Sequence, residues 1–316
     1  MILFRFKKNS ALSTTYEIKK IYLCLHTNIK LDKILKIDIL YIMKKNIVIL
    51  VAIFALSIPG LSQSKDSGPE PVTWNKELKQ LLYDDDVVIN DGSKIMKMTS
   101  PYRASDAAIV PITVSFKIDQ NGEEFIRDLT LIVDENPSPL VSKFKFTKKS
   151  GNASLTTRLR IDKYTYVRAI AETNKNNKFM VANFVKAAGG CSAPSLGDMD
   201  AIMARLGRMK MKFIKTTNVE NELNVAEFVV SHPNFSGLQF NQLTRAEIPA
   251  HFINYLKIEQ DNQTILEATP DISLSEDPSF IFNYSNSGGP LNVYVEDSEG
   301  QKFNKQFPIS EVLTKN

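Results

Sequence analysis

From residue 109 to residue 309 apolar residues recur at every second position in short runs, and turn residues separate the runs. A period of two puts alternate side chains on opposite faces of an extended strand. Ile109 to Ile118 is rich in β-branched residues, and Leu129, Leu131 and Val133 alternate with Thr130, Ile132 and Asp134. Val141, Phe144 and Phe146, then Leu155–Ile161, Tyr164–Ile170 and Phe179–Val185 continue the series. Turn signals fall between them at Asp91-Gly92, Asn121-Gly122, Asn136-Pro137, Ser150-Gly151-Asn152 and Asn174 to Asn177. A second series runs through Met209–Ile214, Glu222–Val230, Phe252–Ile258, Thr264–Ala268, Phe280–Tyr284, Leu291–Val295 and Phe303–Ile309. Its turns are Asp261-Asn262, Ser287-Gly288-Gly289-Pro290 and Ser298-Glu299-Gly300. Strands this short and this regularly spaced predict an all-β protein. The expected architecture is two immunoglobulin-like β-sandwich domains, residues 72–188 and 209–312, joined by a Gly-Gly-Cys segment and a short helix at 189–208.

Two helices interrupt the pattern. Thr73 reads as an N-cap before Trp74, Leu78, Leu81 and Leu82, which share one face at helical spacing. Ser195 and Asp198 read as a capping box before Leu196, Met199, Ile202, Met203 and Leu206, with Gly207 as the stop.

The N-terminus carries a different signal. Met43-Lys44-Lys45-Asn46 precedes an apolar run from Ile47 to Ile58 and then Pro59-Gly60-Leu61-Ser62. A charged start, a short apolar stretch and small residues at its end describe a secretory signal peptide at 43–62, and the run is short for a membrane span. Cleavage after Ser62 starts the mature chain near Gln63, followed by a polar linker to residue 71. Residues 1–42 read as an N-terminal extension from a start placed too far upstream, or as a membrane-anchored amphipathic segment. Of the 39 basic and 35 acidic residues, 10 and 3 precede residue 63, leaving 29 against 32, a formal −3 in the mature chain. The basic balance of the full sequence therefore gives no reason to expect nucleic acid as a partner.

Removing the leader also removes Cys24, so Cys191 is the one cysteine of the mature chain. It lies in Ala187-Ala188-Gly189-Gly190-Cys191-Ser192-Ala193-Pro194. A single thiol in an exported protein has no internal disulfide partner. Gly189 and Gly190 read as a flexible approach, and Ser192, Ala193 and Pro194 as the exit of an arm that presents the thiol.

Other chemistry-bearing residues read as structural. His232 and His251 form a conceivable metal pair, but no third ligand stands at motif spacing. Met199, Met203, Met209 and Met211 fit an apolar helix face and a strand better than a copper site. Asp84-Asp85-Asp86 lacks calcium-loop spacing and reads as a solvated helix end. No nucleophile triad, phosphate loop or dinucleotide fingerprint is present.

Several segments together resemble a known carrier pair. Val185-Lys186-Ala187-Ala188-Gly189-Gly190-Cys191 is similar to the end of the sulfur-oxidation protein SoxY, with its Gly-Gly-Cys arm. His232 to Leu238, Ile248 to Ile253, Asp277 to Phe282 and Val293 to Gly300 follow the motif order of SoxZ. Gly-Gly-Cys-Ser-Ala-Pro and the later Gly207-Arg208-Met209 are similar to fused SoxYZ-like carriers associated with quinoprotein dehydrogenases. The resemblance implies a periplasmic, non-enzymatic carrier that holds a sulfur intermediate on Cys191 for oxidation of the thiosulfate or sulfur type. It implies no cofactor beyond that covalent adduct, no metal and no catalytic residue. The implied partners are sulfur-oxidising enzymes or cytochromes, a quinoprotein dehydrogenase among them, with intramolecular SoxY–SoxZ pairing and no membrane contact in the mature form. One departure stands out: in separate SoxY the arm ends the chain as Gly-Gly-Cys-Gly-Gly, whereas Ser192-Ala193-Pro194 continues into a helix and tethers the arm at both ends. From the residues alone, a periplasmic thiol redox protein or sensor and a plain β-sandwich binding module stay open.

Overall fold

The computed structural model describes residues 68–194, 199–217 and 222–309. The extension at 1–42, the signal peptide at 43–62 and the Ser195/Asp198 capping box lie outside the described residues. Among the described residues no helix is long and apolar enough to cross a membrane.

Seventeen strands follow one another along the described chain. They are β1 (Ile89–Asp91), β2 (Met96–Thr99), β3 (Val110–Phe116), β4 (Ile126–Val133), β5 (Leu140–Phe146), β6 (Leu155–Leu159), β7 (Thr165–Thr173) and β8 (Lys178–Val185) in the first domain. The second domain adds β9 (Met209–Lys215), β10 (Asn224–Val230), β11 (Gln239–Phe240), β12 (Glu247–Ile248), β13 (Ile253–Gln260), β14 (Gln263–Pro270), β15 (Ser279–Tyr284), β16 (Leu291–Asp297) and β17 (Lys302–Phe307). The period-two runs produced these strands because each buries alternate side chains; β3 and β10 alternate buried with less buried positions throughout.

The all-β, two-domain reading holds, and the two domains join more intimately than a linker would require. One sheet has nine strands in the order β1-β8-β7-β4-β5-β14-β13-β16-β17, and another has six in the order β2-β3-β6-β15-β10-β9. Both sheets pass from the first domain into the second. The antiparallel ladder of β5 and β14 runs from Phe146 opposite Leu266 to Ser142 opposite Pro270. On the other sheet Leu155 and Thr156 of β6 face Phe282 and Ile281 of β15. A single apolar core follows, with Val114, Leu129 and Phe144 from one domain and Phe228, Leu256 and Phe280 from the other. Phe144 and Phe280 meet edge to face across the junction, with ring centroids 6.1 Å apart.

The first helix differs from its sequence pattern in two ways. Thr73 makes no cap; its hydroxyl donates to Glu135 instead. Trp74–Leu78 forms a π-turn ahead of the α-helical Lys79–Leu82. The wider turn keeps Trp74 and Leu78 facing the sheet and rotates Leu81 out to solvent, where it is 77% exposed. Trp74, Leu78, Ile132 and Ile170 make a small outer cluster against the nine-stranded sheet. The guanidinium of Arg168 lies 4.6 Å from the Trp74 ring and is paired with buried Asp134. The second helix is described over Met199–Met203 only; Ile202 is buried there, but Met203, expected on the apolar face, is exposed.

A shared core demands shared unfolding. Phe280→Ala, a substitution in the second domain, should lower stability by about 3–5 kcal/mol in one transition that includes the first domain. Differential scanning calorimetry resolving two transitions, with only one displaced, would contradict the continuous sandwich.

Candidate functional site

Cys191 is fully buried, which corrects the reading of a flexible arm that presents the thiol. Ala187 stands two residues past the end of β8, and the segment then runs across the junction between the domains. Residue by residue it is fastened to both. The Gly189 amide donates to the Asp162 carbonyl and the Gly190 amide to Ile161, both distances within 2.8–2.9 Å. The 160–162 backbone is held in turn by Asn136, whose side chain donates to the Arg160 carbonyl and accepts the Asp162 amide. From the second domain, the Ser236 hydroxyl donates to the Cys191 carbonyl and Gln239 Nε2 donates to Ala193 O at 3.0 Å.

The two glycines therefore serve docking, not looseness. A Cβ on Gly190 would sit 2.0 Å from the Ala107 carbonyl oxygen and 2.7 Å from that of Ile161. Only a residue without a side chain enters that slot. Gly189 adopts φ +78°, a left-handed conformation, with open space around its Cα. Ser192 and Pro194 are exposed and Ala193 is partly so; the Ser192 hydroxyl donates back to Gly189 O at 3.4 Å. The exit residues thus form the outer skin of a docked segment whose sulfur faces inward.

Burial pushes the Cys191 thiol up to about 12; the Asp162 carboxylate adds to the rise and the Arg160 guanidinium opposes it. A thiol so placed is inert at neutral pH, because the thiolate is the nucleophile. Arg160, 2% exposed, is the cation nearest in effect. Its Nη1 donates to Gly190 O at 3.3 Å and its Nη2 to Pro233 O at 3.5 Å. It thereby ties the strand end of β6, the cysteine segment and the 232–239 loop together. Arg160, Ser236 and Gln239 were not singled out from sequence. Ser236 lies inside the His232–Leu238 motif, while nothing marks an arginine between Leu159 and Ile161 in a strand run.

The far side of the same loop holds the two histidines, and the structure supplies the third group missing from sequence. His232, His251 and Asp297 are all buried, and one ligating atom from each lies within 4.8 Å of the others. His251 Nε2 is 2.8 Å and His232 Nε2 3.6 Å from Asp297 Oδ2. The hydrogen bonds decide how this cluster works. His232 Nδ1 accepts the Asn234 amide at 3.0 Å, so the proton of the neutral ring is on Nε2, facing Asp297. A ring in that state offers no lone pair to a metal from Nε2. Burial, then the neighbouring His251, lowers the His232 pKa to about 4, which keeps the ring neutral. Burial opposes the Asp297 charge, but hydrogen bonds from His251 and the Gln301 and Glu299 amides outweigh it and hold the carboxyl below its usual range. The cluster braces the loop: Phe235 and His251 exchange backbone hydrogen bonds, and Asn234 Oδ1 accepts the Ile253 amide.

Comparison with known proteins fits this arrangement. The family described as "Sulfur oxidation protein SoxY" matches residues 79–191, ending on Cys191 itself. The family described as "Sulphur oxidation protein SoxZ" matches residues 211–308. The chain belongs to the SoxY and SoxZ families, fused in one polypeptide. Its two halves carry a sulfur-oxidation carrier role, and the SoxY and SoxZ halves pair with one another within the chain. No curated protein sequence matches the chain. Among solved structures, the sulfur carrier protein SoxY from Chlorobium limicola f thiosulfatophilum is 19% identical, covering 32% of this chain and 81% of that one, with a TM-score of 0.27. A superoxide reductase (neelaredoxin) from Ignicoccus hospitalis is also 19% identical, covering 30% and 85%, with a TM-score of 0.27.

Two outcomes test this geometry. At pH 8 Cys191 in the folded protein should alkylate with iodoacetamide about a thousandfold more slowly than in the unfolded chain, the ratio of thiolate fractions for a pKa three units higher. Ser236→Ala should speed it; equal rates for folded and unfolded protein would mean the segment is not docked. The second concerns acid. The unfolded His232 ring takes up its proton near pH 6.5, the folded one only at about 4, so the unfolded state binds more protons between these values. Stability should accordingly fall as pH drops from about 6.5 to about 4. His232→Asn, which keeps an acceptor for the Asn234 amide without a titrating ring, should flatten that fall in urea titrations.

Proposed function

We propose that this SoxY–SoxZ protein is a periplasmic carrier that holds a sulfur intermediate covalently on Cys191 while partner enzymes act on it. The observation that supports this reading best is the position of Cys191. It closes the SoxY-matching region, stands in a Gly-Gly-Cys segment, and is seated by residues of the SoxZ-matching half. The signal-like residues 43–62 support the compartment. The chain itself contributes no catalytic group to the oxidation; sulfur-oxidising enzymes, cytochromes or a quinoprotein dehydrogenase carry it out.

The docked state is the protected form of the carrier. Loading begins when the segment lifts and the thiol ionises. Sulfane transfer then needs no oxidant. The Cys191 thiolate attacks the outer sulfur of a partner's persulfide, a new S–S bond forms, the partner's S–S bond breaks, and the partner leaves as a thiolate. Cys191 ends as a persulfide, so the sulfur changes hands with no net electron loss. Reversal of the same steps unloads it.

Intact mass of protein from the native periplasm, before and after reduction, tests the reading. The expected result is a reducible sulfur adduct in wild type and none in Cys191→Ser, with folding intact. Free thiol alone under sulfur-supplied growth would overturn it, and an ordinary disulfide dimer would favour a thiol redox sensor.

A further inference from the structure

Arg160 is the least satisfied buried cation of the described protein. It is 2% exposed, yet its guanidinium makes only two long hydrogen bonds, both to carbonyl oxygens, and its Nε has no partner at all. No carboxylate of the described residues forms an ion pair with it. Asp106, Glu276 and Cys191 are near enough for their charges to be felt, and Glu276 is paired with Arg205. The contrast with Arg168 is direct. That equally buried arginine engages Asp134 through Nε and Nη2, and its ring neighbours Trp74 and Tyr166 cover it.

A buried charge without a direct ion-pair partner is unfavourable, and proteins normally pair it or bind an ion there. Here the unpaired guanidinium lies against the Gly190 carbonyl, one peptide bond from Cys191. The groups that a sulfur carrier would bear differ in size but share one property. A persulfide and a sulfonate-type group are both anionic on a cysteine, whereas the resting thiol is neutral.

We infer that Arg160 is the receptor for an anionic sulfur group on Cys191. The site is incomplete in the resting protein and is completed by the cargo's negative charge. An added group displaces the segment outward, where Ser192 and Pro194 already face solvent, while Arg160, one residue past β6, remains fixed by its backbone bonds to Ser273 and Asn136. Charge thereby becomes the feature that retains cargo: an anionic adduct is held against the protein, and a neutral one is not. This inference rests on the carrier reading for its cargo, but its test does not.

The test loads Cys191 chemically and compares charges. The Cys191 thiolate attacks an inner sulfur of tetrathionate, forming the anionic Cys–Sγ–S–SO3⁻ as the central S–S bond breaks and thiosulfate leaves. Methyl methanethiosulfonate forms the neutral mixed disulfide Cys–Sγ–S–CH3 and releases methanesulfinate. Each product is confirmed by intact mass, and Tm is measured for both forms of wild type, Arg160→Gln and Arg160→Met. The anionic form of wild type should melt about 4 °C above the neutral form, the size of one charge-assisted hydrogen bond in a domain of this length. The gap should vanish in both variants, whose own loss of stability cancels within each pair. No gap in wild type, or an unchanged gap in the variants, overturns the inference. Should neither variant fold, the wild-type gap alone decides. Absence of a native adduct would remove the carrier function and leave this measurement standing.

Discussion

The pairing of β5 with β14 and of β6 with β15 is the constraint from which the rest of the molecule follows. Each of the four strands would otherwise present an open edge, with unpaired amides and carbonyls ready to recruit another chain. Joining them edge to edge satisfies those groups and aligns the two inner faces into one core. Two of the four edges that remain carry lysines. Lys210, Lys212 and Lys215 stand on edge strand β9, and Lys302 and Lys305 on edge strand β17. The junction also fixes the separation of the β6 end from the 232–239 loop, and the cysteine segment is seated in the gap so defined.

Two buried arginines show how differently that frame uses charge. Arg168 is closed: carboxylate, aromatic ring and thioether occupy its donors and faces, and it locks the first helix onto the sheet. Even so, burial outweighs Arg168 at Asp134, whose pKa is raised. Arg160 is open, spending its donors on two carbonyls from segments that must stay together. The first arrangement suits architecture; the second leaves electrostatic capacity beside the one thiol of the described residues.

The sequence made the strands legible because period two is imposed by burial on one face. It specified faces but not neighbours, so the crossing of both sheets between domains could not be read from it. Short β1 and β2 escaped notice for want of enough residues to show a period. Leu81 was placed wrongly because a π-turn changes the spacing that an α-helix would obey. The cysteine was found and its surroundings were not. Gly190 was read as freedom when two carbonyl oxygens require it, a demand set by Ala107 and Ile161, distant in sequence. His232 and His251 lacked their third partner for the same reason: Asp297 arrives through the pairing of β13 with β16, not through spacing.

The tether at both ends of the cysteine segment sets a limit on geometry. Twelve residues separate Ala187, the last buried residue before Gly190, from Met199, where the described part of the second helix starts. A loop pinned at both ends extends at most half its contour, about 20 Å for twelve residues at full stretch. A tail of the same length released at one end would span about twice that distance. Deep, narrow active-site tunnels suited to a free tail are therefore out of range. On the carrier reading proposed above, a partner of this thiol needs a shallow, open cleft that admits a folded-back strand of chain and tolerates the bulk of both sandwich halves at its rim.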